Sequence, residues 1–357
     1  MVTETLAQLS TVFIYAAMGI YAAAFIAFAL DLSRRGARAT AVEAAAVPSA
    51  VARRTEVAQP ARSTTATITA EGSGGANGRA GTSTLGRISA KISNRVEDDL
   101  LYGSESSTSI RWAFVLTIIG FALHLVATVL RGIAADRVPW ANMWEFSMTG
   151  TLVIVGVFLA VNLKWDIKYL GTFVMGLVLV LQGIALLRYY VPVVPLQPAL
   201  QSYWLVIHII VAVLGTAFFA LGFALSGLQL LQVRRERQVA ESQPQQFKFL
   251  ATLPTSTALE NLAYRVNIVG FIAWTFTLIA GAIWAEKAWG RYWGWDTKEV
   301  WTFIIWVIYA GYIHARATRG WRGSRSAWLA IIGFAAVLFN FGIVNVFFKG
   351  LHAYSGL

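Results

Sequence analysis

Residues 289–301 read Trp-Gly-Arg-Tyr-Trp-Gly-Trp-Asp-Thr-Lys-Glu-Val-Trp, which puts four tryptophans, a tyrosine and two carboxylates into thirteen residues. A loop that only reversed the chain would use small polar residues. Aromatic belts at membrane edges account for scattered tryptophans such as Trp204, Trp321 or Trp328. They do not account for Trp293 and Trp295 two apart with Asp296 immediately after, and with Lys298, Glu299 and Trp301 closing the run. Flat aromatic faces beside fixed charges suit a large, flat, partly charged ligand that stacks on rings and is gripped at its edge.

The four histidines narrow the choice of ligand. His208 follows Tyr203 and Trp204 near the outer end of an apolar run, and His352 lies just beyond the last run, in Lys349-Gly-Leu-His-Ala-Tyr. His124 and His314 fall inside apolar runs, roughly 10 and 20 Å below the outer boundary at about 1.5 Å per residue. A lone histidine in a span can simply hydrogen-bond a neighbouring helix. Ionisable residues at such depth are nevertheless costly and tend to be functional. Neutral imidazole ligates iron, copper or zinc. With no cysteine in the chain and no obvious carboxylate cluster, pairs of imidazoles around a square-planar cofactor fit best, and that cofactor is haem. The lack of cysteine also excludes disulfides, thiolate metal sites and dithiol electron transfer from this chain.

These groups have to be positioned by helices in lipid. Of 357 residues 57% are hydrophobic and only 13% charged, against about a quarter charged in soluble domains. The fold class expected is all-α: a polytopic membrane protein with about eight transmembrane helices, at roughly 10–31, 111–131, 147–163, 169–187, 204–232, 263–285, 300–318 and 326–348. If both termini lie outside, 22 of the 29 Lys and Arg fall on inner segments, as the positive-inside rule requires. The net charge of +11 is then a topology device rather than a nucleic-acid footprint. Three domains are expected: an N-terminal transmembrane helix at 1–35, a disordered cytoplasmic linker at 36–99, and one membrane unit at 100–357 with the aromatic loop at 286–301. The linker is assigned because residues 36–95 are Ala, Thr, Ser, Gly and Arg with almost no aromatics. The first span is read as a retained helix, since no basic segment precedes it and Arg34 and Arg35 follow. No internal repeat is evident, which disfavours an inverted-repeat transporter. The substantial loops at 132–146, 188–203 and 286–299 share the outer side, so chemistry is expected there.

The run Trp-Gly-x-Tyr-Trp-x-Trp-Asp-x-Lys-Glu-x-Trp resembles the tryptophan-rich "WWD" signature of haem-handling proteins of cytochrome c biogenesis. Its Lys-Glu-x-Trp ending is similar to the CcsA/ResC branch of System II, called CcsB in actinobacteria. The resemblance extends over residues 281–316, Leu200–His208, Gly350–Tyr354, and Arg131 with Pro139, Asn142 and Glu145. Thr297 stands where a proline usually follows the aspartate.

The resemblance implies that His208 and His352 are external axial ligands of haem b, held as substrate over a loop shaped by Trp289, Trp293, Trp295, Asp296, Glu299 and Trp301. It implies that His314 meets haem within the membrane, with His124 a lesser candidate. Arg131, Arg137 or Arg188 could pair the propionates. The implied activity is haem export to the extracytoplasmic face of the plasma membrane and covalent attachment to apocytochrome c, as part of a holocytochrome c synthase. The implied partners are a ResB/CcsB-type membrane protein, an apocytochrome c bearing Cys-x-x-Cys-His, and a thioredoxin-like reductant; no nucleic acid is expected. Three alternatives stay open: a haem transporter without ligation activity, a b-type cytochrome electron-transfer subunit, and a scaffold whose aromatic loop binds only protein and would tolerate loss of the histidines.

Overall fold

The computed structural model describes residues 2–56, 107–194, 196, 200–318 and 321–352. Its described residues form eight long helices: α1 (Val2–Glu56), α2 (Thr108–Ala135), α3 (Met143–Asn162), α4 (Gly171–Arg188), α5 (Tyr203–Ala240), α6 (Ser256–Trp289), α7 (Thr297–Ala317) and α8 (Ser324–Leu338). The last continues through a π turn at Phe339–Val344 and a short helical end at Asn345–Phe347. Each predicted span coincides with one helix. Seven of these helices are long and apolar enough to cross a membrane. The predicted span 300–318 does form α7, which is not among those seven.

Residues 36–56 depart from expectation. They continue α1 as helix to Glu56 rather than beginning a disordered linker. The cause is legible: alanine has the highest helix propensity, and Ala37, Ala39, Ala41 and Ala44–Ala46 dominate the stretch. The rest of the predicted linker, residues 57–99, lies outside the described residues.

Side-chain caps fix where the helices begin. Ser107, Asn142, Ser202 and Thr255 each accept from a backbone N–H of the following first turn, satisfying donors the helix cannot. Within the bundle α1 lies along α2 and against α4, while α5 packs on α6, α3 and α8, and α7 packs on α8 and α6. One apolar core runs through most of the bundle, with stacked Phe219 and Tyr309 near its centre. A second cluster joins Leu200, Leu205, Ile209, Val213 and Trp284, with Trp140, Trp204 and Trp289 packed against it. This cluster lies beside the loops that follow α2, α4 and α6 and is the floor of the candidate site.

Candidate haem site

The loop after α6 begins where Gly290 takes a left-handed backbone (φ 69°) and closes the helix, a conformation glycine adopts without penalty. It ends at Asp296, the N-cap of α7. Asp296 and Glu299 form a reciprocal capping box, and Glu299 Oε2 accepts from the backbone N–H of both Gly294 (2.9 Å) and Asp296 (3.0 Å). Glu299 is therefore a buried strut that folds the loop onto the helix start. Between them Trp295 is held at φ 60° and is 76% exposed, a left-handed conformation that costs a non-glycine residue about 1–2 kcal/mol.

Asp296 has a second task. Its Oδ2 accepts from Nδ1 of His352 at 2.7 Å, and its Oδ1 accepts from the backbone N–H of Leu351 at 3.0 Å. Gly350 makes this possible, because a Cβ there would collide with Asp296 Oδ1. The hydrogen bond from His352 holds the Asp296 carboxyl below its usual range. On the other side, His208 in α5 donates Nδ1–H to the Thr277 carbonyl of α6 at 3.0 Å. Gly281, one turn further on, leaves room for that ring; a Cβ there would come within 2.8 Å of His208 Cε1.

A carboxylate and a peptide carbonyl only accept hydrogen bonds, so both imidazoles carry their proton on Nδ1 and leave the Nε2 lone pair for a ligand. An oxygen partner on the other ring nitrogen is the usual way a metal-binding histidine is oriented. The two rings share a neighbour. Trp284 stacks on His208 (centroids 5.9 Å, 14° between planes) and meets His352 edge-on at 5.5 Å. Trp289 meets His352 edge-on at 4.8 Å. Two cavities, of about 100 and 60 Å³, are lined by both histidines; Trp140 and Trp284 line the first, and Tyr292 and Trp293 the second. A third, of about 130 Å³, extends from His208 into the bundle. Among the described residues no three His, Cys, Asp or Glu side chains converge as a metal site.

The remaining expected site residues are placed as follows. Trp293 lies on Trp295 and Phe303 at the exposed rim. Trp301 packs on Phe339 of α8 and lines none of these three cavities. His314 is exposed near the far end of α7, about 25 Å from Thr297 at about 1.5 Å per residue. His124 is fully buried, its Nδ1 3.4 Å from the Tyr21 hydroxyl, and it lines none of the three cavities. Neither histidine is brought to the His208–His352 pair.

The arginines read as propionate partners are engaged elsewhere. Arg131 and Arg137 both bind the buried Glu145, at 3.1 and 2.6 Å, and also hold the carbonyls of Val191 and Val194. They clamp the loop after α2 to the loop after α4. Arg188 is exposed at the end of α4. The sequence does not single out Trp284 and Thr277, although Trp284 sits within the run 281–316, and Lys298 stands out only as a charge closing the aromatic run.

Comparison with known proteins gives this arrangement a family. The family model "Cytochrome C assembly protein" matches residues 140–352, a span that begins at Trp140 and ends at His352 and so takes in the whole site. The cytochrome c biogenesis protein CcsA of Heterosigma akashiwo is 34% identical over 248 residues, covering 61% of this chain and 77% of that protein. The CcsA of Guillardia theta is 32% identical over 286 residues, covering 76% and 90%. That of Prochlorococcus marinus is 41% identical over 177 residues, covering 44% and 56%. Among solved structures, the cytochrome c haem lyase CcmF superposes with a TM-score of 0.50 at 16% identity, a likeness of fold that covers 75% of this chain and about half (48%) of that one. The chain belongs to the cytochrome c assembly protein family, among its CcsA members.

Proposed function

We propose that the chain captures haem b on the extracytoplasmic face of the plasma membrane, between His208 and His352, and presents it to an apocytochrome as one subunit of a holocytochrome c synthase. The family supports the coarser statement directly: haem handling in cytochrome c maturation by a multi-pass membrane protein. The observation that carries the finer reading is the matched state of the two imidazoles. Each has Nδ1 committed to an oxygen acceptor, and both flank Trp284 beside shared cavities.

The protein's contribution is positional. The Trp289–Trp301 loop and Trp284 offer ring faces, and Asp296 and Thr277 fix the ligand tautomers. His352 packs edge-on against Trp284 and Trp289. An incoming Cys-x-x-Cys-His brings its own imidazole, which replaces one axial ligand. Each thiol then adds across a haem vinyl: sulfur bonds the carbon next to the ring, the thiol hydrogen ends on the outer carbon, and no net oxidation occurs. This chain contains no cysteine, so both sulfurs come from the apocytochrome, kept reduced by a thioredoxin-like protein and delivered with a ResB/CcsB-type membrane partner. On this reading haem passes the His314 level on its way outward, with His124 a core residue.

The test is covalent attachment in cells. A CxxCH reporter should acquire haem that survives denaturing electrophoresis with the wild-type chain and its partner, and lose it when His208 and His352 are both replaced by alanine. Haem reaching the outer compartment while the reporter stays unligated would favour the transporter.

A further inference from the structure

Lys298 stands at the junction of the three cavities around the histidine pair, and its chemistry is unused by the reading above. It lines all three, and it is the sole lysine or arginine among the residues that do. The side chain is partly buried, and among the described residues it hydrogen-bonds the Asn345 side-chain oxygen while no carboxylate forms an ion pair with it. The nearby acids are occupied: Asp296 holds His352 and Leu351, and Glu299 Oε2 holds two backbone N–H groups. Asn345 also donates to Met143 Sδ at 3.3 Å, a weak acceptor. In the inner cavity the buried Asn340 keeps its Oδ1 without a partner. Both asparagines are carried by the π turn and the end of α8, a local widening of the kind that recurs at functional sites.

An ammonium withdrawn from bulk water is unfavourable; the Asp296 carboxylate acts on Lys298 but forms no ion pair with it, and an anion supplied by a ligand offsets the remaining penalty. Arg131 and Arg137, the other buried cations of this region, are already paired with Glu145. We infer that Lys298 is an anion-pairing subsite that takes a carboxylate of the bound macrocycle, and so sets which edge of the ring enters the bundle. This rests on the haem reading. A propionate held by Lys298 would leave the vinyl groups, which lie on other edges of the ring, free for a partner's thiols.

The experiment compares two probes on the full-length chain in detergent: ferric protoporphyrin IX and its dimethyl ester, which keeps the iron, ring and vinyls but has no carboxylate. Wild type, Lys298→Met and Lys298→Arg are titrated while the low-spin absorption band is followed. Wild type is expected to prefer the diacid by at least about tenfold, the scale of one charge-assisted hydrogen bond. Lys298→Met should bind both probes with the affinity wild type has for the ester, with the low-spin band intact, and Lys298→Arg should recover part of the preference. If Lys298→Met binds low-spin haem and still prefers the diacid, the subsite is wrong while the histidine site stands. If wild type takes up neither probe as low-spin haem, the haem reading fails and the subsite with it.

Discussion

Nδ1 of His352 donates to Oδ2 of Asp296 at 2.7 Å, tying the segment after the last helix to the start of α7. The aspartate that caps the helix is therefore the same group that orients a candidate iron ligand. Because Leu351 N–H binds the other carboxylate oxygen, one side chain sets helix start, tail position and tautomer together.

Replacing Asp296 by alanine should therefore lower haem retention by about 10- to 100-fold, the usual cost of losing the partner of a ligating histidine. Asp296→Asn keeps an acceptor but loses the charge and should fall between. Haem content per chain after purification is the measurement, and equal retention in all three proteins would show that the tie is not used for ligation.

The same contact has a pH signature. The folded carboxyl of Asp296 is held below its ordinary value of 3.8, so its deprotonated form is favoured by the native contact. The stabilisation is fully present above 3.8 and is lost as pH falls through the depressed folded value. In the haem-free chain, followed by Trp284 and Trp289 fluorescence, the acid transition that Asp296→Asn removes should lie below the ordinary carboxylate value. If the transition removed by Asp296→Asn lies above that value, the assignment is contradicted.

Gly281→Ala separates stability from ligation. Alanine is the better helix former by about 1 kcal/mol, so nothing in α6 itself should suffer. Its Cβ would, however, lie 2.8 and 2.9 Å from His208 Cε1 and Nδ1, driving the imidazole off the Thr277 carbonyl. Thermal unfolding should be at or above the wild-type temperature while the low-spin haem signal drops severalfold. Parallel loss of both would mean that Gly281 serves packing rather than the site.

Arg131→Met should leave Glu145 buried beside Arg137 alone and weaken the clamp on Val191. Arg137 still compensates the Glu145 charge, so the loss should fall below the roughly 3–5 kcal/mol of a fully unpaired buried charge and appear as a modest fall in thermal stability. The protein that does fold should keep its haem spectrum, since neither arginine lines the three cavities. A normal melting temperature with altered haem affinity would restore the propionate role to Arg131.

Much of this was readable beforehand because its signals are local. Apolar runs in lipid admit few conformations, so all eight spans appear as helices, and the Asp296/Glu299 capping box follows from spacing alone. The aromatic loop stands out by residue type, whereas the pairing of His208 with His352 comes from the family resemblance. What stayed hidden depends on contacts across long sequence separations. Trp284 reads as one more apolar residue of α6 until His208 and His352 are laid against it. Arg131 reads as an anchor or a propionate partner until Glu145 is placed between it and Arg137. Lys298 looks like part of a charged helix start, and only the π turn that brings Asn345 to it shows which way it points. The extension of α1 to Glu56 was missed for a different reason: low aromatic content was weighed above alanine's helix propensity.

The central claim is tested most directly by the absorption spectrum of the purified chain with its partner, for wild type, His208→Ala, His352→Ala and the double variant. Wild type should carry low-spin haem, the double variant should lose most of it, and added imidazole should restore part of the signal. An unchanged low-spin spectrum in the double variant would contradict the external bis-histidine site.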